Sequence, residues 1–171
     1  SASGDYSHAE GLRTDASGLA AHAEGRFSEA FGLASHTEGI STRAWGDYSH
    51  AEGTQTTAHV SGSHAEGYDT DTSGGWSHAE GYQTKTFGLS SHSEGLSTQA
   101  RGAYSHAEGE NSQALGKSSH VEGFENIITS TGDYSHAEGR QNDISGTYCH
   151  AEGFNNKIGE NSAYCHIEGS G

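Results

Sequence analysis

A His-x-Glu-Gly tetrapeptide recurs twelve times in this chain of 171 residues. An imidazole and a carboxylate two residues apart can bind transition metals, exchange protons or pair with each other. The first nine copies follow one another at a fixed spacing of 14 residues. Because a fixed period is the signature of a repeat fold, the same pair is expected on the same face of every repeat.

The candidate functional residues are therefore two columns of side chains. They consist of His8 and Glu10, His22 and Glu24, His36 and Glu38, His50 and Glu52, His64 and Glu66, His78 and Glu80, His92 and Glu94, His106 and Glu108, His120 and Glu122, His136 and Glu138, His150 and Glu152, and His166 and Glu168.

Three kinds of chemistry are weighed for these columns. Catalysis is disfavoured, because an active site needs one unique arrangement and the chain lacks both the His-Glu-x-x-His and the Gly-x-Ser-x-Gly motifs. Ion binding stays open, since histidine and glutamate are competent ligands for zinc and similar ions. We favour a structural contact face, predict that the protein is not an enzyme, and assign no catalytic residue, no cofactor and no metal ion.

The composition narrows the class of protein. Leu, Ile, Val and Phe together account for 19 residues, and the formal net charge is −15. The chain lacks the stripe of basic residues that would neutralise nucleic-acid phosphates, so we expect no nucleic-acid partner. No stretch is long and apolar enough for membrane insertion.

The elements that position the columns follow from a heptad that occurs twice in each repeat. Ser7–Arg13 and Thr14–Ala20 share the pattern [Ser/Thr]-x-Ala-x-Gly-x-x. A glycine in every seven residues and the lack of an apolar stripe exclude a helix. We predict a five-residue strand in each half, with Ser, Ala and Gly facing a thin interior, and a turn at Gly-x-x.

Two strands and two turns per 14 residues predict one coil of a parallel β-solenoid. We predict a single repeat domain over residues 1–171, with about twelve coils. Insertions of two residues within 124–132 and within 154–165 are expected to bulge at turns. His59 lies outside the series and is expected on the surface. The outward residues of the second half-coil vary from coil to coil, and we call their face the variable side.

The doubled Ser-x-Ala-x-Gly-x-x heptad resembles the head repeat of YadA-type trimeric autotransporter adhesins, and also the Ser-His-Ala-Glu-Gly repeats of phage tail-fibre proteins. The resemblance covers essentially the whole chain. It implies a left-handed parallel β-roll that assembles as a homotrimer and is extracellular, on a cell surface or a virion. In the adhesins the positions flanking the central Ala face the other subunits. In this chain they are His and Glu, so we expect a polar trimer-interface ladder.

Two further sets of residues are candidates for specific roles. Aromatic residues stand two positions before several motif histidines, and Tyr48, Trp76 and Tyr104 are the possible receptor contacts among them. Packing at coil corners or between subunits is the favoured interpretation, and stacking on a host glycan stays open. Cys149 and Cys165 occupy the Ser position of consecutive coils and are expected to fill the interior as free thiols.

These observations predict a structural or adhesive segment of an extracellular trimeric fibre, a rigid rod that presents a receptor-binding surface. The alternative is a solenoid that binds ions or other ligands through the His/Glu columns. If each Glu is ionised and accepts a hydrogen bond from a His, the Glu pKa falls and the His pKa rises, whereas burial lowers the His pKa. We therefore expect stability to be greatest at mildly acidic to neutral pH.

Overall fold

The computed structural model describes residues 1–171 and contains strands and turns but no helix. The chain is an all-β parallel solenoid of about 12 turns with a 14-residue repeat, which confirms that part of the predicted fold class. Left-handed coiling and trimeric assembly stay predictions. It contains no helix long and apolar enough to cross a membrane.

The strands belong to two compact units, Ser1–Gln83 and Thr84–Gly171. In the first unit they are β1 (His8–Leu12), β2 (Asp15–Ala16), β3 (His22–Arg26), β4 (Glu29–Ala30), β5 (His36–Ile40), β6 (Arg43–Ala44), β7 (His50–Thr54), β8 (Thr57–Ala58), β9 (His64–Tyr68), β10 (Asp71–Thr72) and β11 (His78–Tyr82). In the second they are β12 (Lys85–Thr86), β13 (His92–Leu96), β14 (Gln99–Ala100), β15 (His106–Ala107), β16 (Gln113–Ala114), β17 (His120–Val121), β18 (Ile127–Ile128), β19 (His136–Arg140), β20 (Asp143–Ile144), β21 (His150–Phe154), β22 (Lys157–Ile158) and β23 (His166–Ser170). A single repeat domain over residues 1–171 stays a prediction.

Within each unit the odd-numbered strands form one parallel sheet and the even-numbered strands form another. Each residue pairs with its equivalent in the next coil, so that His50 lies beside His64 and Glu52 beside Glu66. A strand begins at each of the twelve motif histidines. The register therefore converts the sequence period into columns of identical side chains.

The two halves of a coil are less alike than the heptad predicts. The motif half forms a strand of up to five residues that starts at His, whereas the second half forms a strand of only two. The second strand ends early because the N–H groups of Ser17 and Gly18 both donate to the carbonyl of Ala30, which bends the chain. The motif Gly lies at a corner with a φ near +100° and does not share the buried face of Ser and Ala, so that part of the prediction is wrong.

Both corners of the coil also contain non-glycine residues in a backbone conformation that the sequence does not predict. Twenty-two non-glycine residues have φ between 49° and 61°, in the left-handed region that side chains normally avoid. Most of their N–H groups donate to the preceding coil: Phe27 donates to the carbonyl of Leu12 at 2.9 Å, and Tyr48 to that of Leu33 at 2.7 Å. These hydrogen bonds between coils hold the corners in an otherwise unfavourable conformation.

The interior is as thin as the small residues predict. Ala51, Ala58 and Ala65 have no exposed surface, and Thr56 and Thr70 are equally buried beside them. Ser49, just before a motif His, donates its hydroxyl to the Gly46 carbonyl at 2.6 Å and so closes the second corner. The same hydrogen bond from a Ser hydroxyl recurs in other coils, which explains why a hydroxyl is needed at that position.

The second unit has larger interior residues and contains both insertions. Val121, Ile128, Ile144 and Ile158 replace the Ala of other coils and are buried. The strands on either side of each insertion keep their pairing, so the extra residues lie in turns after Ile128 and after Ile158, as expected.

Three buried asparagines in the second unit form a ladder inside the coils. The backbone N–H groups of Asn142 and Asn156 donate to the side-chain oxygens of Asn126 and Asn142, at 2.8 Å and 3.0 Å. Their side-chain amides donate to backbone carbonyls of their own and the following coil. In the first unit the same positions hold threonines and one serine, Ser28, and the hydroxyls of Thr42, Thr56 and Thr70 make no hydrogen bond.

The thin interior predicts that an Ala65→Leu variant is destabilised. Ala65 has no exposed surface, and the added side chain should cost 1–3 kcal/mol or more in forced rearrangement. Lys85→Ala, on the variable side of its coil, should change the free energy of unfolding by less than about 0.5 kcal/mol. Denaturant unfolding of both variants measures the difference. A silent Ala65→Leu together with a damaging Lys85→Ala would mean that the faces are assigned backwards.

The corner geometry predicts that Gly53→Ala is destabilising. Gly53 has a φ of +102°, and an added Cβ would lie 2.2 Å from the carbonyl oxygen of Gly67 in the next coil. Strain of this kind costs about 1–3 kcal/mol before the backbone clash is counted. Gly159→Ala is the matched control, because its Cβ would meet nothing within 4 Å and its φ is outside the left-handed region. Equal unfolding free energies for the two variants would contradict the assignment.

Candidate functional site: the His/Glu face

The twelve motif histidines and glutamates, which we call the His/Glu face, lie on the outer side of the long strands. In the first unit the His50 and His64 rings stack with centroids 4.7 Å apart and planes inclined by 7°. In the second unit the His106 and His120 rings stack at 4.8 Å with an inclination of 1°. The spacing equals the expected separation of parallel strands, so the rings stack because the backbone places them there. The first and last rings, His8 and His166, are turned out of these stacks.

Within one strand the histidine faces the glutamate two residues later. His64 Nε2 lies 3.6 Å from Glu66 Oε2, and the pairs in other coils have similar separations. Only His8 and Glu10, in the first coil, come within 3.3 Å. A distance of 3.6 Å is too long for a hydrogen bond. The Nε2 atoms of His22, His50 and His64 are covered yet make no hydrogen bond.

Four of the stacked histidines, His36, His64, His106 and His136, resist protonation. Burial, followed by repulsion from the stacked His78 and His50, lowers the pKa of His64 to about 4. The pKa values of His36, His106 and His136 are lowered for the same two reasons, with burial the larger. At neutral pH these imidazoles are therefore uncharged.

The pKa values of two glutamates, Glu66 and Glu38, shift in the opposite direction. Burial raises the pKa of Glu66 to about 7, and hydrogen bonding to and repulsion from Glu52 and Glu80 add to the effect. The pKa of Glu38 is raised chiefly by a hydrogen bond with Glu24. Both carboxyls therefore retain a proton more readily than an isolated glutamate does.

These single-chain shifts run opposite to those of charged His–Glu pairs, which stay a prediction for an assembled trimer. Attraction within a pair would raise the His pKa and lower the Glu pKa, and the reverse is found for His64 and Glu66. At these two residues burial, together with repulsion from a like neighbour on either side, outweighs attraction within the pair. In the single chain His64 is therefore an uncharged imidazole at neutral pH, beside a partly protonated Glu66 carboxyl.

The donor atoms of the face also form groups that can hold a metal ion. His50, Glu52 and His64 each offer one ligand atom within 4.8 Å of the other two, and His92, Glu94 and His106 repeat the arrangement in the second unit. The sequence predicted the columns, but it did not show that a donor from the next coil completes a three-ligand group.

Exposed apolar side chains flank the His/Glu face on both sides. On one side they follow the motif Gly, as Leu12, Ile40, Tyr68 and Tyr82 do, and the Tyr68 and Tyr82 rings stack at 4.9 Å. The sequence alone did not predict this column, because the residue after the motif Gly changes from one coil to the next, with Leu, Ile, Thr, Tyr and Arg among the types found there.

On the other side are the predicted corner aromatics. Tyr48, Trp76 and Tyr104 lie at left-handed corners and are 66%, 70% and 55% exposed, so they do not pack under turns. Contact with another subunit or with a receptor stays a prediction for all three. Tyr134 and Tyr148 stack at 5.0 Å in the same column of the second unit.

The remaining sequence candidates lie away from the face. His59 packs edge-on against Trp45 and lies 3.4 Å from Asp71 on the variable side. Cys149 is a free thiol buried in the interior, as expected, whereas the free thiol of Cys165 is only partly buried against the same core. Burial raises the pKa of the Cys149 thiol, which makes it a poor nucleophile.

No protein-family model matches the chain, and no curated protein matches it. The proposed function therefore rests on the geometry of the His/Glu face and of the residues that flank it.

The pKa shifts predict that stability falls as the pH falls from about 6.5 to 4. Four histidines have lowered pKa values in the folded chain. In this pH range the unfolded chain therefore binds more protons than the folded chain, which favours unfolding. Two glutamates with raised pKa values act oppositely between about 4.5 and 7, so they offset only part of this loss. Above about pH 7 neither set contributes a slope.

Thermal melts from pH 4 to 9 in the presence of a chelator measure this profile. A His106→Gln/His136→Gln double variant should lose less stability on acidification than the parent chain. A stability that drops as the pH rises from 6.5 to 8 would instead show protonated histidines paired with ionised glutamates.

Proposed function

We propose that this chain is a structural and adhesive segment of an extracellular trimeric fibre, as in phage tail fibres or bacterial surface adhesin heads. The observation that carries the proposal is the repetition of one half-buried His/Glu face on coil after coil of each unit. A repeated face without a unique centre suits contact with an equally repeated partner. The partner that matches it in period is a second copy of the same chain.

The surroundings of the face support an interface between copies. The polar columns lie between two exposed apolar columns, represented by Tyr68 and Tyr82 on one side and by Tyr48 and Trp76 on the other. Polar groups flanked by exposed aromatic residues are typical of protein contact surfaces. Covered Nε2 atoms such as that of His64 lack hydrogen-bond partners and would gain them from a neighbouring chain.

The interior gives a second reason for assembly. It consists largely of Ala, Ser and Thr, so each coil buries little apolar surface while its residues lose conformational entropy. Contact between copies supplies the missing burial. Left-handed coils and a three-fold arrangement are the form that the adhesin resemblance implies, and the exposed corner aromatics Tyr48, Trp76 and Tyr104 are the proposed receptor contacts.

We expect light scattering after size-exclusion chromatography to give three times the chain mass of 17.8 kDa, with no folded monomer on dilution. Glu66→Lys, which places an ammonium group on the His/Glu face, should dissociate the assembly. Thr57→Lys, on the variable side of the preceding coil, should not. A well-folded monomer at micromolar concentration, or equal behaviour of the two variants, would refute the proposal.

A further inference from the structure

We propose that the His/Glu face binds first-row transition ions of the Zn²⁺ type, each held by two histidines and one glutamate of the same chain. The proposal does not depend on the fibre function, because all three protein donors come from successive coils of one chain.

The pair within a strand already has nearly the right separation. Two ligands of a tetrahedral ion at 2.0–2.2 Å lie about 3.4 Å apart. His50 Nε2 and Glu52 Oε2 are 3.6 Å apart, and both side chains are one-third exposed and able to adjust. One ion therefore fits between them with little rearrangement.

The third donor comes from the following coil. A ring nitrogen of His64 lies within 4.8 Å of one ligand atom each of His50 and Glu52, so the ring has to tilt out of the stack by about 1 Å to reach the same ion. The loss of stacking is opposed by new bonds for two covered nitrogens, because the Nε2 atoms of His50 and His64 have no hydrogen-bond partner. Water, or a donor from another copy, completes the coordination.

The donor set selects the class of ion. Two imidazoles and one carboxylate suit Zn²⁺, Co²⁺ and Ni²⁺, whereas Mg²⁺ and Ca²⁺ prefer an all-oxygen site. Occupied sites should therefore resist competition by excess Mg²⁺.

The repeat also sets the number of ions. His64 belongs both to the group with His50 and Glu52 and to the group with Glu66 and His78, and one imidazole nitrogen cannot bind two ions. Neighbouring groups therefore exclude each other. Ions should occupy alternate coils, which gives at most about half as many ions as motif histidines.

The test is equilibrium dialysis of the full chain against Co²⁺ at neutral pH in excess Mg²⁺, with the metal content measured by elemental analysis. We expect several ions per chain, up to half the number of motif histidines, and an intense visible spectrum typical of four-coordinate Co²⁺. An uptake of one ion or none, displacement by Mg²⁺, or the weak spectrum of six-coordinate Co²⁺ overturns the proposal.

Variants locate the ions. Replacing the six motif histidines of the first unit with Gln should remove about half of the bound Co²⁺, and unchanged uptake overturns the proposal. His59→Gln is the matched control, because His59 pairs with Asp71 on the variable side, and it should remove none. If the six-fold variant does not fold, the uptake and spectrum of the parent chain still decide. Light scattering on the same samples reports the oligomeric state separately, so a failure of the fibre function remains distinguishable.

Discussion

The in-register stacking of backbone hydrogen bonds between coils is the constraint on which the rest of the structure depends. Strand N–H groups such as that of His50 donate to the following coil, and left-handed corner N–H groups such as that of Tyr48 donate back to the preceding one. This bidirectional network explains how a chain with so few large apolar residues keeps a regular fold. It also explains why side chains such as Phe27 and Tyr48 tolerate a φ near +58°. The conformation is imposed by the neighbouring coils and does not follow from local preference.

The same register dictates the electrostatics of the surface. It sets like groups about 4.7 Å apart, where two unit charges repel by about 3.5 kcal/mol at an effective dielectric constant near 20. Part of this repulsion is relieved at His64, whose imidazole resists protonation, and at Glu66, whose carboxyl retains its proton more readily. A polar face that carries less charge is easier to bury against another chain than a ladder of ions would be. That property connects the single-chain geometry to the proposed assembly.

The interior differs between the two units in how its polar groups are satisfied. In the first unit buried hydroxyls such as that of Thr56 make no hydrogen bond, whereas in the second unit Asn126, Asn142 and Asn156 connect successive coils. The Asn ladder occurs together with Ile128, Ile144 and Ile158, which bury more apolar surface. The coils of the second unit are thus held by side chains as well as by the backbone. This is a physical reason why their longer turns can be accommodated.

The sequence by itself determined the repeat, the solenoid fold, the small interior and the positions of the His/Glu columns, because a fixed period forces equivalent residues into equivalent places. It did not determine the two-residue second strand or the left-handed corners, since these arise from hydrogen bonds between coils. The apolar column of Tyr68 and Tyr82 was also hidden, because only stacking brings varied residues into one row. Most importantly, the sign of the pKa shifts at His64 and Glu66 depended on the tertiary structure. Sequence shows a His beside a Glu, but only the stacked coils place each of them between two of its own kind.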